Sequence, residues 1–354
     1  MPLYVADLGG TSTQIGLIIG LFALVAMIMR PPTGWLIDTR GDRMVLVAGM
    51  AIFLLASLGY LLAPSVGGIL AVRLFHGLGM GLFPTAATVV IADLAPPARR
   101  GEAMGWFGIA NSIGFIVGPA GGLAVVARTG YTTLFVLAAG AAALGLVCIW
   151  LLPPPTRKPA PPARLPRLED VFSRAALLPS AILLFLYFPY GGVLSFIPIV
   201  ATQRGLANAG LFYAVFAGAM VLVRSKAGEI SDRRGRAAVI LPGMVLAAVS
   251  LLVLGLTTGP AGVLVGGAMF GISFGMVQPT LMALAADRVS PAERGKAMGT
   301  FYTAWELGIA AGAAGSGWLL NSIGFGTLFL VGAVLPLAGA VLSLKARAAA
   351  RSVA

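Results

Sequence analysis

The sequence predicts an all-α integral membrane protein built from two repeated halves, and three observations predict it. The first is composition: of 354 residues, 58% are hydrophobic and 10% charged, with a mean hydropathy of +0.96. Soluble globular domains do not reach that balance. The second is a ladder of eleven apolar segments, each able to cross roughly 30 Å of hydrocarbon as a helix. The third is an internal repeat at a constant offset of 194 residues. The same composition excludes other classes. The 48 glycines and 23 prolines sit in apolar runs without a collagen-like period. A net charge of +12 would suggest nucleic acid as partner of a soluble protein, but here the charges lie in short loops and report membrane orientation. One cysteine, Cys148, and one histidine, His76, leave no disulfide, no Cys-ligated metal site and no nucleophile, base and metal constellation. Neither an enzyme nor a cofactor is expected.

Taken in order, the segments lie near 13–35, 43–63, 66–93, 99–127 and 131–152, then 175–201, 207–229, 237–257, 260–287, 293–320 and 324–346. Charges, Gly/Pro turns and polar clusters separate them. Between the two groups stand seven prolines, from Pro153 to Pro166, with Arg157, Lys158, Arg164, Arg167, Glu169 and Asp170. That composition reads as an extended, solvated linker. The chain thus divides into an N-terminal transmembrane half at 1–152, a linker at 153–174 and a C-terminal half at 175–354. Eighteen Lys and Arg fall on one side of the ladder, and Arg128 and Arg204 on the other. The first side, with the linker and the C-terminus, is expected in the cytoplasm of a cell held by its inner or plasma membrane.

The repeat covers loops and helices alike. Pro97 to Gly105 reads PARRGEAMG and Pro291 to Gly299 reads PAERGKAMG. Arg30, Gly34, Asp38, Arg40 and Gly41 fall on Arg224, Gly228, Asp232, Arg234 and Gly235, and Asp93 falls on Asp287. After a two-residue gap, Pro2 aligns with Pro198 inside the first helix of the second half, so a helix of about 20 residues is expected before Met1. Two halves of six follow from that expectation.

Four motifs carry a resemblance. Gly34, Asp38, Arg40, Gly41 and Arg43 form a GxxxD run with basic residues around a second Gly, though Thr39 and Asp42 stand at basic positions; Gly228, Asp232, Arg233, Arg234, Gly235 and Arg236 repeat it more fully. Such a motif makes a turn too short for anything but Gly, with a carboxylate and guanidinium groups locking it to neighbouring helix ends. Asp93 and Asp287 are candidate partners for its arginines. The competing reading is a set of positive-inside anchors around a Gly turn. Arg73 precedes Gly77, Gly79 and Gly81 in RLFHGLGMG, and Gly114, Gly118, Pro119 and Gly122 stand in GFIVGPAGG. With the basic central loop and the duplication, these resemble the major facilitator superfamily over essentially the whole chain, in particular its twelve-helix drug:proton antiporter and sugar-efflux branch. The resemblance implies two six-helix halves around a central cavity, alternating access, and a monomer. It further implies that the Gly34 and Gly228 motifs act as a conformational latch, that Arg73 takes part in proton coupling, and that Pro119 kinks an antiporter-type helix.

Glu306 is the only acid well inside an apolar helix, near the bilayer midplane. An acid there is expensive and is a functional candidate by default; the alternative is a protonated or Arg-paired structural Glu. Tyr302 lies one turn away, and with Ala310 and Ala313 it is expected to form a cavity wall, while Gly308, Gly312 and Gly315 make a face for helix packing. Trp305, Asn111, Gln278, Tyr187 and Tyr190 complete the candidates at cavity depth. Phe188-Pro189-Tyr190-Gly191-Gly192 is expected to break its helix, as in transporters whose sites lie at discontinuous helices. Arg30 and Arg224 are expected to snorkel to the cytoplasmic interface or support the latch. Together these point to a secondary transporter, proton-coupled, exporting small amphipathic molecules, with lipid as its surroundings and no nucleic-acid partner. The alternatives are an importer or facilitator of sugars or organic anions, or a non-transporting membrane protein.

Overall fold

The computed structural model describes residues 1–96, 100–153, 172–289 and 294–351. It is helical, in the order α1 (Pro2–Asp7), α2 (Ser12–Arg40), α3 (Asp42–Leu61), α4 (Val66–Leu94), α5 (Arg100–Trp150), α6 (Leu177–Gln203), α7 (Gly210–Arg234), α8 (Ala237–Leu256), α9 (Pro260–Asp287), α10 (Arg294–Gly332) and α11 (Val334–Arg351). Among the described residues nine stretches are long and apolar enough to span a bilayer. Two of those helices hold an internal break, α5 at Gly130 and α10 at Gly324, where the predicted ladder has a boundary. The linker lies almost entirely outside the described residues, as do 97–99 and 290–293 in the PARRG and PAERG loops.

Local chemistry explains the starts. Thr11 accepts from the Gln14 amide while the Gln14 side chain accepts from the Thr11 amide, a capping box that begins α2. Ser65 caps α4 through the Gly68 amide, and Pro260 occupies the first turn of α9, where its missing N–H costs nothing. The ends differ from expectation at one place in each half. The motifs from Gly34 and Gly228 form the last turns of α2 and α7, which run on to Arg40 and Arg234. Basic side chains complement the negative end of the helix dipole, so helix continues beyond the apolar run.

The backbone bears out the duplication. The glycines with positive φ are Gly9, Gly41, Gly130, Gly205, Gly235 and Gly324, and they pair by the repeat: Gly9 with Gly205, Gly41 with Gly235, Gly130 with Gly324. Each pair ends a helix at the same place in its half, in a conformation that a Cβ would strain.

Within the halves α2 packs on α4 and α3 on α4 and α5, while α7 and α8 pack on α9, and α6 and α11 on their neighbours α10 and α8. Between the halves α2 lies against α10 and α5 against α7. These two contacts map onto each other under the repeat. The end of the bundle that carries Arg40, Arg43 and Arg233 to Arg236 is called the basic end here. At the opposite end a mixed apolar cluster joins Val5, Ile15, Tyr60, Ile69 and Phe135 of the first half to Phe196, Leu320 and Leu328 of the second. Thr13 donates to the Gly317 carbonyl at 3.3 Å, and Asn321 donates to the Thr13 hydroxyl at 2.8 Å. The halves are therefore sealed to each other at that end.

Candidate functional site

The α2–α10 contact starts from small residues. A Cβ on Gly16 or Gly20 would collide with the carbonyls of Ala313 or Ala310, so only glycine lets the backbones approach this closely. Ala310 and Ala313 are thereby buried in a helix interface, where a cavity wall was expected. Gly308 and Gly312 do pack as a small face, against Tyr187 and Phe188 of α6. The same contact explains why α6 is unbroken. Pro189 and Pro198 lie inside a continuous helix from Leu177 to Gln203, and Gly191 and Gly192 sit tightly on Ile309, Ala313 and Ser316 of α10. Neighbouring helices hold the segment helical despite the amide that Pro189 lacks, so the expected discontinuity is absent.

This close approach brings Glu306 to the junction of the halves. The residue is 6% exposed, and its Oε1 accepts from Nη2 of Arg30 at 2.5 Å. Arg30 lies ten residues before the end of α2, about 15 Å from the basic end along the axis, and Glu306 about 18 Å. The arginine does not snorkel out; it turns inward and pairs a carboxylate that would otherwise be a buried, uncompensated charge. Its guanidinium carbon also stands 5.4 Å from the Tyr302 ring centroid, a cation–π contact. The Arg30 Nε is buried without a hydrogen-bond partner, which leaves the charge only partly satisfied.

Aromatic rings extend from this pair. Tyr302 is 5.8 Å from Trp305, Trp305 is 4.7 Å from Tyr187, and Tyr187 is 5.5 Å from Tyr190. Phe274 of α9 joins Tyr187 at 5.0 Å and Tyr190 at 4.8 Å, and Phe216 of α7 stacks on Tyr190 at 5.9 Å. Five of the eight cavity candidates thus form one assembly with Arg30, expected at the interface or the latch, and with Phe274 and Phe216, which were not among the candidates. The signal for Arg30 was its depth in α2; Phe216 and Phe274 carry none that separates them from helix-filling aromatics. Gln278 is half-buried one turn beyond Phe274 on α9.

Two candidates lie elsewhere. Asn111 is exposed and donates to the Phe107 carbonyl of its own helix at 3.0 Å. Arg73 belongs to a separate cluster in the first half, over the rings of Phe22 at 4.8 Å and Tyr60 at 5.9 Å. His76, one turn along, shares a 3.0 Å hydrogen bond between its Nδ1 and the Tyr60 hydroxyl and packs edge-on to Phe22 and Phe53. The Arg73 Nε has no partner.

The two copies of the Gly34/Gly228 motif differ in detail. In the second half Arg236 ties the turn together: Nη1 donates to Asp232 at 2.5 Å and to Ser231 at 2.9 Å, while Nε and Nη2 meet Asp287 of α9 at 3.0 and 2.9 Å. Desolvation alone would lower the pKa of this guanidinium, but the hydrogen bonds and charges of Asp287 and Asp232 outweigh it and raise the pKa above its ordinary value. Arg233 pairs with Glu229 at 2.9 Å on the helix surface. In the first half the residue equivalent to Arg236 is the acid Asp42, which cannot make the same bridge. Arg43 instead donates to the carbonyls of Ile149, Trp150 and Pro153 at 3.2, 2.8 and 3.5 Å, capping the end of α5. Asp42 and Asp93 line a small cavity there with Leu152, and one Asp93 oxygen is buried without a partner. The side chain of Asp38 lies outside the described residues, and Arg40 is exposed. A Cβ on Gly34, Gly228, Gly114 or Gly118 would meet nothing within 4 Å, and one on Gly122 would meet Leu134 at 3.4 Å. Helix α5 keeps helical backbone through Pro119.

Comparison with known proteins agrees with this architecture. A sequence model of the Major Facilitator Superfamily matches residues 1–290 and 209–353. The chain is 24% identical over 353 residues to an uncharacterized MFS-type transporter of Methanocaldococcus jannaschii, covering 97% of this chain and 91% of that protein. It is 25% identical over 350 residues to the staphylopine export protein of Staphylococcus aureus, covering 94% and 86%. Its fold is similar to a crystal structure of a POT family transporter in complex with a thioalcohol-conjugated peptide, with a TM-score of 0.80, 17% identity and coverage of 98% and 89%. Duplicated halves, the two cross-half helix contacts and the sequence match lead to one conclusion: the chain belongs to the major facilitator superfamily of membrane transporters.

Proposed function

We propose that the protein is a secondary active transporter working by alternating access, which exchanges protons for small amphipathic molecules in the direction of efflux. The observation that carries this reading is the Glu306 carboxylate, buried at the junction of the halves, paired with an arginine of the other half and backed by Tyr302, Trp305 and Tyr187. An acid so placed binds a proton or a counter-charge, and either choice changes what holds the halves together. The rings offer an apolar wall with hydroxyl handles for a substrate body. The similarity to a staphylopine export protein supports the outward direction. The motifs around Gly34 and Gly228 serve as the latch at the basic end, facing the cytoplasm from the plasma membrane, and the protein acts as a monomer.

A second reading is uptake or facilitated passage of organic anions. It is favoured by Arg30, whose guanidinium reaches the acid at the junction of the halves.

One experiment separates them: efflux of fluorescent amphipathic compounds from cells expressing the chain, with and without a protonophore, and with Glu306→Gln. Efflux that stops with the protonophore and falls at least about tenfold in the variant is the expected result. Energy-independent uptake of anions that persists in Glu306→Gln would replace the first reading by the second.

A further inference from the structure

At the basic end the second half holds a positive charge between two carboxylates, and the first half puts a third carboxylate in its place. Arg236 meets Asp232 and Asp287 at once. Under the 194-residue offset Asp232 corresponds to Asp38, Asp287 to Asp93 and Arg236 to Asp42. Asp42, the first residue of α3, is only 5% exposed, and it shares the small cavity there with Asp93 of α4. One of its oxygens accepts from the Arg43 amide at 2.6 Å, a contact that the positive end of a helix favours. Among the described residues neither Asp42 nor Asp93 makes an ion pair, and Oδ2 of Asp93 is buried with no hydrogen-bond partner at all. Arg43 also lines the cavity, but its guanidinium is directed to the carbonyls of Ile149, Trp150 and Pro153. Two carboxylates thus face one space in which no cation answers them, although buried charges are costly unless they are paired.

We propose that Asp42 and Asp93 bind an inorganic divalent cation, Mg²⁺ in the cell, which takes in the first half the place that the Arg236 guanidinium takes in the second. Carboxylate oxygens, with carbonyls and water to complete the shell, suit Mg²⁺, Mn²⁺ and Ca²⁺ rather than metals that need nitrogen or sulfur. The bound ion ties the start of α3 to the end of α4, as Arg236 ties the start of α8 to the end of α9. The same turn is closed in one half by a charge built into the chain and in the other by a charge that exchanges with solution. The site stands on this geometry and not on transport. Its consequence, a first-half latch that holds only when the ion is bound, rests on the reading of the Gly34 motif as a latch and deepens it.

The test is Mn²⁺ binding to the full chain in nanodiscs of zwitterionic lipid, followed by electron paramagnetic resonance with Mg²⁺ as competitor. One saturable site is expected, filled at or below about 1 mM Mn²⁺ and emptied by Mg²⁺. Asp93→Asn should weaken it at least about tenfold, while Glu229→Gln, which removes an exposed acid on α7, should leave it unchanged. Asp42→Arg restores the arrangement of the second half and supplies the charge from the chain itself. That variant should lose the Mn²⁺ site yet stay folded, and the rise in unfolding temperature that Mg²⁺ gives the native chain should disappear. No saturable Mn²⁺ site in the native chain, or a site that survives both Asp93→Asn and Asp42→Arg, would overturn the proposal. If transport nevertheless changes in Asp42→Arg, the latch reading stands and this inference alone has failed. If Mn²⁺ binds as expected but transport ignores both Mg²⁺ and Asp42→Arg, the site stands and the latch reading has failed.

Discussion

Removing either member of the Arg30–Glu306 pair strands the other inside the bundle. A fully buried pair broken in this way costs about 3–5 kcal/mol; with Arg30 partly exposed, about 1–3 kcal/mol is expected for Arg30→Gln or Glu306→Gln alone. The double variant should lose clearly less than the sum, because no uncompensated charge remains. Chemical unfolding of the purified protein in detergent measures all three; additive losses would mean that the two side chains do not sense each other. This pairing was half legible in the sequence. A lone acid deep in an apolar helix marks itself, and an arginine partner was one of its possible fates. Which arginine answers it depends on the approach of α2 to α10, and that approach is a matter of glycines 16 and 20 rather than of any charged residue. The same holds for Arg236 and Arg43. Both stand in basic motifs, yet one bridges two carboxylates and the other caps three carbonyls, because Asp42 occupies the position equivalent to Arg236.

Helices α2, α6 and α10 form a stack in which α10 is the middle member, and its glycines meet both neighbours. A methyl group on Gly312 would strike the Phe188 carbonyl, a backbone atom that cannot step aside. Gly312→Ala is therefore expected to lower stability by about 2 kcal/mol through overpacking. Gly118→Ala, with nothing within 4 Å, should change it by less than about 0.5 kcal/mol and favour the helix slightly. Thermal unfolding in one detergent compares the two directly; equal effects would show that the α6–α10 packing is looser than described. Similar reasoning accounts for α6. Its Phe-Pro-Tyr-Gly-Gly run carries every local mark of a break, and local marks are what sequence reveals. Tight seating of Gly191 and Gly192 on α10 keeps it straight enough to remain helical.

The two halves are joined by α2–α10 and α5–α7, and they are sealed at the end opposite the basic loops. If alternating access requires that seal to open, a covalent tie across it stops transport. Thr13 and Asn321 are in side-chain contact at 2.8 Å from opposite halves. Thr13→Cys with Asn321→Cys, in a Cys148→Ser background, should lose transport on treatment with a short thiol cross-linker and regain it on reduction. Transport that survives complete cross-linking would show that this end does not part. The single native cysteine, exposed on α5, is removed so that it does not compete for the reagent.

Membrane-spanning helices and the duplication were readable from the chain because each rests on local or periodic properties. Apolar length decides a span, a repeated glycine decides a turn, and matched residues 194 apart decide a repeat. Even there the ends of α2 and α7 ran past expectation, since helix propagation does not stop where hydropathy does. The partner of Glu306, the continuity of α6, the burial of Ala310 and Ala313, and the separation of Arg73 from Glu306 were not readable. Each depends on which residues of distant helices come within a few ångströms. Distances of that kind follow from packing between helices, and no property of a single segment encodes them.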